Sequence, residues 1–138
     1  MRMGTVIFRI VMATSFLFVL GCKKPMTNPE LIDPVYNDLL KLEKDHLSLY
    51  NAKIMERDNI KKDWTASDVL SGRKKTAKQR YFAKDKEAQR ELQLSRYYKL
   101  RAKTRRQEAR KDYIDAFNKD KPWPLPDEYE SFLAENRL

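Results

Sequence analysis

The chain has 138 residues, of which 36% are charged; its formal net charge is +9 and its only glycines are Gly4, Gly21 and Gly72. That length allows one small domain, and so few glycines exclude a β-rich body, whose many turns draw on Gly, Asn, Asp and Pro. The prolines stand at 25, 29 and 34 and again at 122, 124 and 126, so the long stretch between them reads as helices with punctuated ends.

Residues 1–9 carry Arg2 and Arg9 and no acid, and residues 10–20 are apolar apart from Thr14 and Ser15. A basic start followed by a short apolar run is the layout of a secretory signal peptide. The uncharged run from 10 to 22 is shorter than the roughly 20 apolar residues that a bilayer span needs. The competing reading is a short span that starts at Val6 with Arg9 reaching back to the interface.

The apolar run ends in Val19-Leu20-Gly21-Cys22. This motif resembles the lipobox of bacterial lipoproteins, with a small residue, Gly21, at the cleavage site before the cysteine. The resemblance covers residues 1–22 only. It implies removal of residues 1–21, a diacylglycerol on the Cys22 thiol and acylation of the new terminus, palmitate among the acyl groups. It also implies a bacterial cell-envelope location. Lys23 stands where an aspartate would be an inner-membrane retention signal in enteric bacteria, so the outer membrane is expected, with the body facing the periplasm or the cell surface. Cys22 is the only cysteine, so it has no internal disulfide partner. One acyl chain alone holds a protein weakly, and several together hold it firmly.

Residues 22–33 are expected to form the lipid-anchored tether. Pro25 and Pro29 discourage a helix there, and Lys23 and Lys24 suit an anionic headgroup surface. Residues 34–138 form the body. Asp33-Pro34 is a helix start, with Asp as N-cap and Pro at the first helical position. Val35, Tyr36, Leu39, Leu40, Leu42, Leu47, Leu49, Tyr50 and Ile54 then make one wide apolar stripe at helical spacing, joined by His46. A turn is expected within 64–72. Either Thr65 and Asp68 cap a new helix there, or Gly72 follows the end of a first helix that runs to Leu70.

The second helix is expected from about Arg73 to about Asn118. Tyr81, Ala88, Ser95, Ala102, Ala109 and Ala116 recur every seven residues, with Asp85, Leu92, Lys99, Arg106 and Tyr113 as the companion row. A small-residue row lets a partner helix approach closely without a leucine ladder. The fold class is therefore all-α: an antiparallel, coiled-coil-like hairpin of two long helices with a short C-terminal helix. The alternative is one unbroken helix over 34–118 paired between chains, and association of copies is compatible with either. Past the second helix, Pro122, Pro124 and Pro126 make a stiff connector, and Tyr129, Phe132 and Leu133 share a face of a short helix. The shorter first arm leaves the end of the second helix without a partner. The tail, with Trp123, Leu125, Tyr129 and Phe132 beside Asp127, Glu128 and Glu130, is expected to cover it.

Charge is uneven along the chain. Residues 72–119 hold seventeen basic and six acidic residues, whereas 120–138 hold two and five. The densest run contains Arg96, Lys99, Arg101, Lys103, Arg105, Arg106, Arg110 and Lys111, with Tyr97 and Tyr98 interleaved. These eight are candidates for binding a polyanion through charge, with aromatic support; the bland reading is a solvated face balanced by the acidic tail. An exported chain meets little nucleic acid, so lipid headgroups, acidic polymers or an envelope protein are the expected partners. The sequence has no phosphate loop, no Cys/His cluster and no nucleophile–base set. No catalytic residue, cofactor or metal is therefore expected, and His46 lacks a second soft ligand. Two functions remain open: a non-enzymatic structural or interaction lipoprotein, and a periplasmic chaperone-like or assembly factor with a basic helical surface. The lipobox reading has a direct test. A palmitate analogue supplied to cells should label the wild-type chain and leave Cys22→Ser unlabelled, and equal labelling of both would overturn it.

Overall fold

The Asp33 carboxylate accepts a hydrogen bond from the Val35 amide at 3.1 Å, and Pro34 follows in the position where a missing N–H costs nothing. From this cap, helix α1 runs over Pro34–Thr65. A computed structural model describes residues 23–65 and 71–136. The leader, with Gly21 and Cys22, lies outside the described residues, as do 66–70 and the last two positions. A single 3-10 turn at Pro29–Ile32 precedes α1. Helix α2 spans Ser71–Asn118 and helix α3 spans Pro126–Glu135. All regular structure among the described residues is helical.

Partners across the two long helices run in opposite order. Asp33 meets Arg105, His46 meets Glu91, Arg57 meets Asp85 and Trp64 meets Tyr81. The pair is an antiparallel hairpin within one chain, as the heptad pattern predicts, and not one unbroken helix. The first arm ends at Thr65, short of the Leu70 that one expectation allowed, and the second begins at Ser71, two residues before the expected Arg73. Trp64 and Thr65 belong to α1, where the Thr65 hydroxyl donates back to the carbonyls of Lys61 and Lys62. That is a back-bond within the last turn of a helix, not an N-cap. Gly72 lies inside α2 and carries the carbonyl that accepts from the Thr76 hydroxyl. Asp68 lies outside the described residues.

The small-residue row forms the seam. Ala88, Ser95, Ala102 and Ala109 are 0, 5, 3 and 0% exposed, and the outer members Tyr81 and Ala116 are half-buried. The companion row differs from the expected one. Asp85, Leu92 and Tyr113 are half-buried but Lys99 and Arg106 are exposed, whereas Lys84, Glu91, Tyr98, Arg105 and Asp112, one residue earlier, are all half-buried. Residues three after a seam position face the partner helix here. An apolar count along the chain misses them because four of the five are charged.

The α1 stripe narrows in the same way. Val35 and Leu39 are buried, but Leu47 and Leu49 remain exposed. Lys53 and Arg57 take the inward places near the turn, their charges meeting Glu87, Glu91 and Asp85. Large apolar side chains thus concentrate at the end of the hairpin away from the turn. There Val35, Leu39, Ala102 and Phe132 form the core, with Tyr36, Leu40, Tyr98, Tyr129 and Leu133 against it.

The end of α2 is closed by a chain reversal. Asp120 adopts φ 52°, a left-handed conformation that Asp tolerates better than bulkier residues. The Lys121 amide bonds to the Ala116 carbonyl at 2.8 Å and the Asp120 amide to that of Phe117 at 3.2 Å. This is the two-bond pattern that ends many helices. The connector returns past Tyr113, whose ring meets Trp123 edge-on at 5.6 Å, and α3 lays Phe132 over Val35 and Leu39. The tail therefore covers the start of α1 more than the end of α2, and Leu125 stays exposed.

Enlarging the seam should push the helices apart. Ala88→Leu is expected to destabilise the hairpin by about 1–3 kcal/mol through overpacking. Ala83→Leu, at an exposed position, should change stability by no more than about 0.5 kcal/mol. Urea unfolding followed by circular dichroism compares the two, and equal effects would exclude a tight seam at Ala88.

Candidate functional site

Residues 23–33 do not hang free as a tether. They run along α2 beyond the start of α1, meeting Arg105, Arg106, Arg110 and Tyr113 and, past its end, Asp120. Glu30, 2% exposed, receives Arg110 Nη2 at 2.6 Å and Nε at 2.9 Å, and Arg106 Nε at 3.0 Å. Asn28 accepts a longer bond from Arg110 at 3.4 Å. The Met26 amide donates to the Tyr113 hydroxyl at 2.7 Å, and Lys23 pairs with Asp120 at 3.0 Å. Pro29 opens the 3-10 turn at its first position, and Pro34 keeps the turn from running on as an α-helix. The turn brings Glu30 onto the two arginines.

A second junction lies beside it. Asp33 is fully buried and caps α1 while receiving Arg105 Nε. The Nη2 of that guanidinium donates to Glu128 of α3 at 2.8 Å and, at 3.3 Å, to Asp33 as well. One arginine of α2 thereby joins the linker, the first turn of α1 and the C-terminal helix. Tyr129 adds a bond to Asp38 of α1 at 2.8 Å. Arg101 lies over the rings of Phe132 and Tyr97, 5.8 and 5.7 Å from their centroids.

The eight basic candidates therefore divide. Arg105, Arg106 and Arg110 hold acids of this same chain, and Arg101 is stacked on aromatics. Lys99 has only a loose contact with Glu43 at 3.9 Å. Arg96, Lys103 and Lys111 have no carboxylate within ion-pair distance among the described residues. Arg96, Lys99, Lys103, Arg106 and Arg110 fall at alternating spacings of three and four and share one face of α2, whereas Arg101 and Arg105 face α3. Sequence reading missed Glu30 and Asp33 as partners of the basic run. The first looked like tether and the second only like a cap, and the acidic tail seemed the obvious counter-charge.

His46 sits on the rim of the seam, stacked on Tyr98 with ring centroids 5.3 Å apart. Its Nδ1 is 2.7 Å from Glu91 Oε2. Among the described residues no group of three His, Cys, Asp or Glu side chains could hold a metal. No family model, no curated protein and no solved structure matches the chain.

The hydrogen bonds from Arg110 hold the Glu30 carboxyl down to about 2, against the opposing effect of burial and with help from its own amide and Arg106. The folded value lies below the ordinary 4.5. The stability contributed by this clamp is thus complete above about pH 4.5 and is lost as pH falls from there toward 2. Glu30→Gln should cost about 1.5–3 kcal/mol at neutral pH, the range for hydrogen bonds to charged groups. The gap from wild type should close as the pH of urea titrations is lowered through that window. A gap that stays constant with pH would mean that the carboxylate charge is not what holds the linker.

Proposed function

We propose that the chain is a lipoprotein of the bacterial cell envelope, a non-enzymatic structural or interaction rod that stands on a membrane by its base. The observation that carries this reading is the binding of residues 23–33 along the end of α2. Lys23, covalently joined to Cys22, pairs with Asp120 at the end of the hairpin opposite the turn. A lipid on Cys22 would therefore fix the base of the rod at the lipid surface. With 48 residues in α2 and 1.5 Å per residue, the tip would reach about 70 Å beyond it. Among the described residues no helix is long and apolar enough to cross a membrane. The outer membrane, with the body on its periplasmic or outer side, is the location that Lys23 favours under the lipobox resemblance. The chaperone-like alternative needs a continuous basic surface, and three arginines of the run are already joined to Glu30, Asp33 and Glu128.

The orientation can be measured on the lipidated protein in vesicles that contain acceptor-labelled lipid. A donor dye at Gly72→Cys should transfer little energy to the membrane, and one at Lys121→Cys should transfer strongly. Similar transfer from both positions would mean that the rod lies flat or turns freely, and would overturn the upright reading.

A further inference from the structure

The basic face of α2 is a ladder whose lower rungs are filled and whose upper rungs are open. Arg106 and Arg110 clasp Glu30, and Tyr113, the next residue on the same face, takes the Met26 amide. Toward the tip, the same face continues as Lys103, Lys99 and Arg96. With Arg106 and one acid, Glu43, these three rim a groove of about 510 Å³ with a floor of Tyr36, Leu40 and Leu100. Leu100 is 65% exposed, a large apolar side chain at the mouth of a basic trough. The linker cannot fill this stretch, because it turns into α1 at Asp33.

We infer that this groove docks an acidic segment of a partner protein, one that sets Asp or Glu side chains against Arg96, Lys99 and Lys103 and bulky apolar side chains against Leu100, Leu40 and Tyr36. The seat of Glu30 shows the geometry in the same ladder: a peptide-borne carboxylate shared between two basic side chains one helical turn apart. Rungs spaced by three and four suit acids spaced likewise on a helix laid alongside. The apolar floor then contributes the larger part of the binding, and the rim sets register and partner choice. The acidic residues near the open rungs leave the balance positive, since Glu43 meets only Lys99, and at 3.9 Å. This inference does not depend on lipidation of Cys22.

The test uses the full-length chain and a fluorescein-labelled synthetic helical peptide that carries glutamates three and four apart beside a row of leucines. Anisotropy should show saturable binding. The pair Lys99→Glu with Lys103→Glu should weaken it at least about tenfold, roughly 1.4 kcal/mol, and Leu100→Ser should weaken it without changing net charge. The pair Lys61→Glu with Lys62→Glu, an equal charge change on exposed positions near the tip, should leave it nearly unaltered. Equal loss from both pairs would reduce the effect to long-range charge and overturn the docking site. So would equal binding of the same peptide with glutamine for glutamate. Binding of phosphatidylglycerol vesicles that depends on Lys99 and Lys103, with no binding of the peptide, would also overturn it and assign the groove to lipid headgroups.

Discussion

The close approach permitted by Ala88, Ser95, Ala102 and Ala109 is the constraint on which the rest of the hairpin depends. With no large side chain in the seam, the two backbones come near enough for flanking residues to meet across it. The row three residues on, Lys84, Glu91, Tyr98 and Arg105, meets Glu56, His46 and Asp33 instead of leucines. These pairs are partly buried, which gives them directional hydrogen bonds more than net stabilisation. What they contribute is register, because a shift along α1 would leave several charges half-buried without partners.

Stability is distributed unevenly along the rod as a result. At the base, Val35, Leu39, Ala102 and Phe132 exclude water together, and α3 closes over them. Toward the turn, Trp64 meets Tyr81, Lys78 and Arg57 lie over those two rings, and ion pairs such as Arg57–Asp85 and Lys84–Glu56 link the helices. Segments with few buried apolar contacts open at lower free energy than the core. Among the described residues, those toward the turn thus open more readily than those of the base.

The base is also where the chain uses its excess positive charge. A strongly basic helix repels itself, and Glu30, Asp33, Glu128 and Asp120 bring acids from both ends of the chain onto or beside α2. Glu30 and Asp33 are buried there, so the linker is part of the folded body. A membrane anchor placed ahead of it would transmit its position to the rod through short contacts rather than through a loose string. The same ladder of basic residues then continues upward beyond the reach of the linker, with an apolar floor and no counter-charge of comparable quality.

The sequence by itself determined the helical hairpin. Proline confined to the ends, Asp33-Pro34 at a helix start and a small residue every seventh place are local signals, and each acts through backbone geometry within a turn or two. The lipobox resemblance at Gly21 and Cys22 likewise lies wholly in the sequence. Tertiary structure alone decided which residues accompany the seam, because Lys84, Glu91 and Arg105 carry charge and become inward-facing only when an opposite charge waits on the other helix. It also decided that Arg105, Arg106 and Arg110 face acids of this chain while Lys99, Lys103 and Arg96 do not. The pairings with Asp33 and Glu30 join positions more than seventy residues apart, and a carboxylate such as Glu30 gives no local sign of which arginine will reach it. Leu47 and Leu49 illustrate the same limit: their spacing marks a helix face, but whether that face is covered depends on where the partner helix lies.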